Sequence, residues 1–337
     1  MKLLFYFWVF AMKAILSILL LFLTAQTATA QSITKALDFK RGAVREVDVA
    51  GLNYGLSDVY VVVVRTSNDT LKALTFAGTD RTARASYDAG TATSVSISPG
   101  GENRVLVTMR DGDGRLRVIS FEVGSDRRTL DRLGTDTGPR IRSVKSSPGA
   151  SDGEVRLAAK LQDNDLYIWR VTMDTAGLPT ISNRQDFGEV KTMDMAGGTF
   201  GALVMRVGND DLRLTTLMSG GNNGIVRGAT DRGGKVTDHA IAPLEETQGG
   251  QWITFTTSGY VSNPRRFIPS HCINGPIVVH YSPIGRSKLI AWEQNQPSAS
   301  AEFSRLAEHE SSGLEGLAHK VDVVRFVSGS SPRFITG

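Results

Sequence analysis

All five histidines of this 337-residue chain fall in its final third, at His239, His271, His280, His309 and His319. Imidazole titrates near neutral pH and ligates metals. Asp238 with His239, His271, His280 and the Glu308-His309-Glu310 triplet are therefore the groups from which an acid–base or metal-assisted hydrolytic site would be assembled. Adjacent strand residues point to opposite faces, so Asp238 is not expected to orient His239 merely by preceding it. His-Glu-x-x-His, the paired-glycine dinucleotide loop and the phosphate-loop lysine motif are absent. Cys272 follows His271, but neighbours along a chain are not thereby within hydrogen-bond reach. Packed or surface histidines are the simpler expectation, and Asp238, His239, His271 and His280 stand only as an alternative catalytic group.

A second group suits recognition. Trp252, Tyr260, Phe267 and Tyr281 offer flat apolar surfaces, while Arg265, Arg266, His271 and His280 can donate directed hydrogen bonds. Sugar rings, anionic peptides and carboxylated small molecules all suit that mixture. The expected ligand-binding set is Trp252, Tyr260, Arg265, Arg266 and His271. The competing account places Trp252 and Phe267 in a core and leaves the arginines to solvate a loop.

Acidic pairs recur at Asp111 and Asp113, Asp163 and Asp165, and Asp210 and Asp211. Carboxylates are hard ligands suited to calcium, yet these pairs lack EF-hand spacing and the distal glutamate. They are expected to form turns, and no metal or other cofactor is assigned.

These residues sit within a degenerate unit: a β-branched run, an Asp/Asn/Gly turn and a second apolar run. It occupies residues 60–76, 105–121, 155–171 and 202–217, and Leu71, Leu116, Leu166 and Leu212 mark equivalent positions 45, 50 and 46 residues apart. That period suits a four-stranded propeller blade of about 45 to 50 residues. Short third strands are expected at 84–87, 129–133, 179–182 and 224–228, and fourth strands leading onward at 94–97, 141–145, 190–193 and 236–241. Ser98-Pro99-Gly100-Gly101 and Ser147-Pro148-Gly149-Ala150 punctuate two equivalent junctions. After the fourth unit the rhythm breaks, because Leu289 follows Leu212 by 77 residues. Either a fifth unit carries an insertion near 258–275, or an eroded fifth is followed by a sixth. Segments 302–309 and 319–326 supply an outer and a next inner strand, and 33–39 and 43–50 read as strands that let the chain ends close one ring.

The pattern resembles the secreted β-propeller proteins of bacteria, a broad class with sugar-binding, lactonase-like and scaffold members. The resemblance covers roughly residues 33 to 327. The Trp-Asp ending of the common WD repeat is absent, and Asp163 through Trp169 does not replace it, since Trp169 falls in the second strand of its unit. The fold expected is all-β, a propeller of five or six blades. Its function would be binding a glycan or protein partner, the alternative being a hydrolase or lactonase-like enzyme with a site at the channel mouth.

Residues 1–30 read as a signal peptide: Met12-Lys13, an apolar stretch through Leu23, then Ala28-Thr29-Ala30 before Gln31. The mature chain 31–337 is expected to be a single exported domain, periplasmic or extracellular, without a membrane span. Of the 38 basic residues only Lys2 and Lys13 lie in that segment, so the mature chain stays close to balance against its 34 acids. Basic residues are scattered, which argues against a nucleic-acid partner. Cys272 is the single cysteine, so no internal disulfide forms and packing must hold the fold.

Overall fold

The computed structural model describes residues 44–54, 57–77, 82–197, 201–219, 225–245, 251–259, 285–293, 304–310, 323–328 and 331–336. The side chains discussed below lie between Val44 and Ile241. Residues 1–30 and the stretch 33–39 lie outside the described residues.

The Asp/Asn/Gly turns form one structure four times. Asp69, Gly114, Asn164 and Asp210 each take a left-handed conformation, with φ of 63°, 77°, 77° and 69°. Each donates its backbone N–H to the carbonyl three residues earlier, at 2.8 to 3.2 Å. Glycine, asparagine and aspartate adopt this conformation at least cost, so these residue types select the turn. Each left-handed residue then turns its own carbonyl onto a later backbone N–H, of Ala92, Ile141, Val190 and Val236 respectively, at 2.9 to 3.0 Å. Every hairpin is thereby tied to the approach of the next sheet.

The chain is all-β and antiparallel, built from successive four-stranded meanders of the kind that make propeller blades. The first comprises β1 (Val44–Tyr54), β2 (Ser57–Thr66), β3 (Thr70–Ala77) and the first half of β4 (Ala85–Pro99). The second half of β4 opens the next sheet, with β5 (Arg104–Asp111), β6 (Arg115–Val123) and the first half of β7 (Leu130–Pro148). The rest of β7 starts the third, with β8 (Glu154–Leu161), β9 (Asp165–Met173) and β10 (Pro179–Glu189). β11 (Thr192–Ala196), β12 (Gly201–Arg206), β13 (Asp211–Ser219) and β14 (Ile225–Lys235) form the fourth sheet. β15 (Asp238–Glu245), β16 (Gln251–Gly259), β17 (Gly285–Glu293) and β18 (Ser304–Glu310) form the fifth, and β19 (Val323–Ser328) pairs with β20 (Ser331–Thr336).

The expected third and fourth strands of the first two units are thus single long strands that bend from one sheet into the next. The bend of β4 sits at a bulge opposite Leu71 and Lys72, where Gly90 has φ 90° and donates its N–H to Asp88 Oδ1 at 2.9 Å. Asp186 and Gly188 repeat this device in β10, at 2.7 Å and φ 79°. A bulge redirects a strand without ending it, which is why two expected strands become one.

The late irregularity resolves as one sheet. β16 and β17 are in register from Gln251 opposite Glu293 to Gly259 opposite Gly285, so the interruption falls between the second and third strands of the fifth sheet. Residues 260–284, with most of the insertion expected near 258–275, lie outside the described residues.

Leu71, Leu116, Leu166 and Leu212 are fully buried, each in a cluster that joins its own sheet to the following one. The alternation of each strand gives every sheet two apolar faces, and burying both requires a sheet on either side.

Candidate functional site

Register places a basic residue opposite each marker leucine: Arg65 opposite Leu71, Arg110 opposite Leu116, Lys160 opposite Leu166 and Arg206 opposite Leu212. Three of the four reach across to the neighbouring sheet. Arg110 Nε donates to the carbonyl of Ile141 at 2.7 Å, Lys160 Nζ to that of Lys191 at 2.8 Å, and Arg206 Nη1 to that of Thr237. Arg65 instead pairs with Asp69 at 2.8 Å and Glu46 at 3.1 Å. The cations of this rim therefore serve largely as ties between sheets.

The acidic turns are occupied in the same way. Asp111 Oδ1 accepts the N–H groups of Asp113 and Arg115 at 3.1 and 2.8 Å, and Asp163 Oδ1 accepts that of Asp165 at 3.1 Å. Asp210 takes the Lys191 ammonium at 2.8 Å, a bond that holds its carboxyl below the usual value. The expectation that these acids build turns agrees with this geometry.

A polar girdle runs along the strands that open the first four sheets. Asp48, Ser96, Lys145 and Asp194 are equivalent by register, lying opposite Val63, Thr108, Ala158 and Val204. Asp48 Oδ2 accepts from Ser96 Oγ at 2.9 Å and from the Ile97 N–H at 3.0 Å. Ser96 Oγ accepts the Ser146 N–H at 3.1 Å, and Asp194 Oδ2 accepts the Ile241 N–H at 3.1 Å. Lys145 stands 3.9 Å from Asp194 Oδ1. Burial raises the Asp48 carboxyl above its ordinary value, with the Lys145 charge and the Ile97 and Ser96 hydrogen bonds opposing the rise. No local motif announces this set. Its only signal is phase, a polar residue recurring every 48 or 49 residues in the strand that opens each of the first four sheets.

His239 lies on β15 and is buried, and its Nε2 is 2.9 Å from Thr192 Oγ1 on β11. Its contact is thus a hydroxyl from the neighbouring sheet. Asp238, on the opposite face of the strand, acts on the ring through its charge. His271 and His280 lie outside the described residues, as do Tyr260, Arg265 and Arg266. His309 takes a register position opposite Leu289.

Gly259 and Gly285 stand at the same end of the fifth sheet as Asp238 and His239, which pair with Thr257 and Thr256. The insertion bearing Tyr260, Arg265, Arg266, His271 and His280 therefore leaves and returns at the Asp238–His239 end. Trp252 occupies the other end of β16, directly opposite Trp292 in register. Seven residues of strand separate it from Gly259, roughly 23 Å. The backbone thus separates Trp252 from the roots of the loop with which it was grouped.

Gly149-Ala150-Ser151-Asp152-Gly153 matches the Gly-x-Ser-x-Gly pattern of hydrolases. A nucleophile elbow needs a strand-to-helix turn. Here the segment links β7 to β8, and Ser151 Oγ donates to Glu154 Oε2 at 3.1 Å, so it serves as a strand connection. Glu154 also pairs with Arg170 at 2.9 Å. On the same strand Arg156 is fully buried, and that burial lowers its guanidinium pKa to about 10 against the opposing charge of Glu154.

No family model and no curated protein matches the chain. Solved structures do. AofleA from Arthrobotrys oligospora is 7% identical over 87% of this chain and 79% of its own, with a TM-score of 0.50. SapL1 lectin in complex with alpha methyl fucoside is 11% identical over 82% and 84%, TM-score 0.47. An Aleuria aurantia lectin mutant in complex with alpha-methyl-L-fucoside is 9% identical over 86% and 93%, TM-score 0.47. At such an identity the likeness to AofleA concerns the chain path, and the protein is similar to it in its fold alone.

Proposed function

We propose that the protein is an exported β-propeller module that binds a carbohydrate or protein ligand, without covalent chemistry, at the rim formed by the hairpins between second and third strands. One observation carries this reading. At that rim the first four sheets close with tight turns, whereas the fifth opens between Gly259 and Gly285 for the insertion that holds Tyr260, Arg265, Arg266 and His271. The commitment of Asp48 and Asp194 to backbone N–H groups supports binding over catalysis. Export rests on the sequence of residues 1–30.

The same reading takes the ring to be six-bladed and closed. Val47 and Val49 are 55% and 45% exposed, whereas Val95 and Ile97, their equivalents in the second sheet, are 1% and 4% exposed beneath the first. The flank of the first sheet thus has the composition of a seam and awaits a preceding sheet, for which β19 and β20 supply two strands. Closure would remove the exposed edges that invite aggregation.

The test replaces residues 260–284 by an Asn-Gly turn, which the register of Gly259 with Gly285 accommodates. Isothermal titration against a glycan panel then compares the variant with the intact mature chain. A fucoside, the ligand in two of the compared structures, is the first probe. Loss of binding with an unchanged melting temperature supports the reading; undiminished binding overturns the location.

A hydrolase at the channel mouth is the second reading, favoured by the contact between Thr192 and His239. Turnover abolished in both Thr192→Val and His239→Gln would put it first.

A further inference from the structure

We propose that His239 is an acid-sensitive latch on the seam between the fourth and fifth sheets, closed while its ring is neutral and opened by protonation. The repeat makes the residue conspicuous. Val47, Val95, Val144 and Met193 occupy the equivalent position, lying one residue past Glu46, Ser94, Ser143 and Thr192, which face the basic residues Arg65, Arg110, Lys160 and Arg206. The second, third and fourth sheets thus present an aliphatic or thioether side chain to the preceding sheet, the first carries the same type on its open flank, and the fifth presents a titratable ring.

The seam is built for the neutral ring. His239 is 5% exposed, its Nε2 is bonded to Thr192, and its Nδ1 is buried without a hydrogen-bond partner among the described residues. A neutral imidazole leaves one polar atom unsatisfied there. A protonated one buries a charge and an Nδ1–H donor that meets no acceptor among the described residues, with Thr192 Oγ1 left to accept from Nε2. The charged groups near it divide: Asp238 on its own strand, the strongest of them, attracts a cation, whereas Arg206 from β12 and Lys145 from β7 repel one, and a hydrogen bond to the Thr192 backbone favours the charged ring. Asp194, beside Thr192 on β11, is already held by the Ile241 N–H and by Lys145. Burial is the largest cause and outweighs Asp238 and the Thr192 hydrogen bond, and with the repulsion from Arg206 and Lys145 it pushes the ring down to about 4.

Among the described residues three ties cross this seam near the latch: the contact of Thr192 with His239, the bond from the Ile241 N–H to Asp194, and that from Arg206 Nη1 to the Thr237 carbonyl. Protonation buries a charge and an unpaired Nδ1–H between β11 and β15, which favours their separation and with it the loss of these ties.

Hydrogen exchange read by mass spectrometry tests the latch on the mature chain without any ligand. Between pH 7 and about pH 4, after correction for intrinsic rates, amides of 192–196 and 238–242 should lose at least about tenfold in protection while 94–97 keep theirs. His239→Met, the side chain the fourth sheet uses, should abolish that selective loss, and His239→Gln provides a second neutral variant should the first fold poorly. An unchanged acid response in either folded variant overturns the proposal, as does acid loss spread evenly over every seam.

Discussion

Asp194 of the fourth sheet holds the backbone N–H of Ile241 in the fifth at 3.1 Å, repeating what Asp48 does for Ile97 at 3.0 Å between the first two sheets. A carboxylate here acts as an acceptor for a buried main-chain donor. Asp194→Ala should cost about 1 to 3 kcal/mol in urea denaturation, since the orphaned N–H keeps its desolvation penalty. Asp194→Asn, which retains an acceptor, should cost less than half as much. Equal losses would show that charge, not acceptance, matters.

The basic ties can be tested one by one. Arg110→Met removes a charged donor from the Ile141 carbonyl while keeping the aliphatic stem, and should lower stability by about 1 to 2 kcal/mol. Gln162 donates to the same oxygen at 2.9 Å, so the double variant should lose more than the sum of the two single losses. A double-mutant cycle in denaturant measures this.

At Asn164, with φ 77°, the backbone discriminates among side chains. Asn164→Gly should change stability by less than about 0.5 kcal/mol, whereas Asn164→Ala should cost about 1 kcal/mol, because alanine keeps the Cβ that disfavours this conformation and loses the short polar side chain that offsets it. Thermal unfolding of the two variants side by side decides.

Arg156 is a fully buried cation where the second sheet carries Leu106. Arg156→Met should be close to neutral or stabilising, because the packed substitute avoids desolvation. Glu154→Leu should cost about 3 kcal/mol or more by leaving Arg156 and Arg170 without their carboxylate. The reverse order in denaturant melts would mark the arginine as the stabilising partner.

The lowered His239 value has a definite sign. Its folded pKa lies below the ordinary 6.5, so the unfolded chain binds the proton more tightly. The stability it contributes is complete above about pH 6.5 and is lost as pH falls toward 4, about 3 kcal/mol in all. His239→Gln should flatten that limb of the stability profile.

The turns were legible because their requirement is local: a left-handed residue selects Asp, Asn or Gly, and Asp69, Gly114, Asn164 and Asp210 are the four that answer. The marker leucines were legible because burial on a sheet face keeps period and residue type together. The fused strands were not, since a bulge such as that at Asp88 and Gly90 has the composition of a turn. The girdle was hidden for another reason. Aspartate, serine and lysine all serve at equivalent positions, because what the seam requires is a polar atom at the right height. His239 stood out by its chemistry, but its contact, Thr192, lies 47 residues away and on another sheet.

β4 and β7 each belong to two sheets, whereas separate strands lead from the third sheet to the fourth and from the fourth to the fifth. Under tension this difference becomes mechanical. The first three sheets share their load through unbroken chain, so none can be stripped away without dragging out the heart of its neighbour. Behind them each sheet hangs from the one before by a short connector, and a chain pulled from both ends should yield there first, in steps from the C-terminal side, before the anterior block gives way at once.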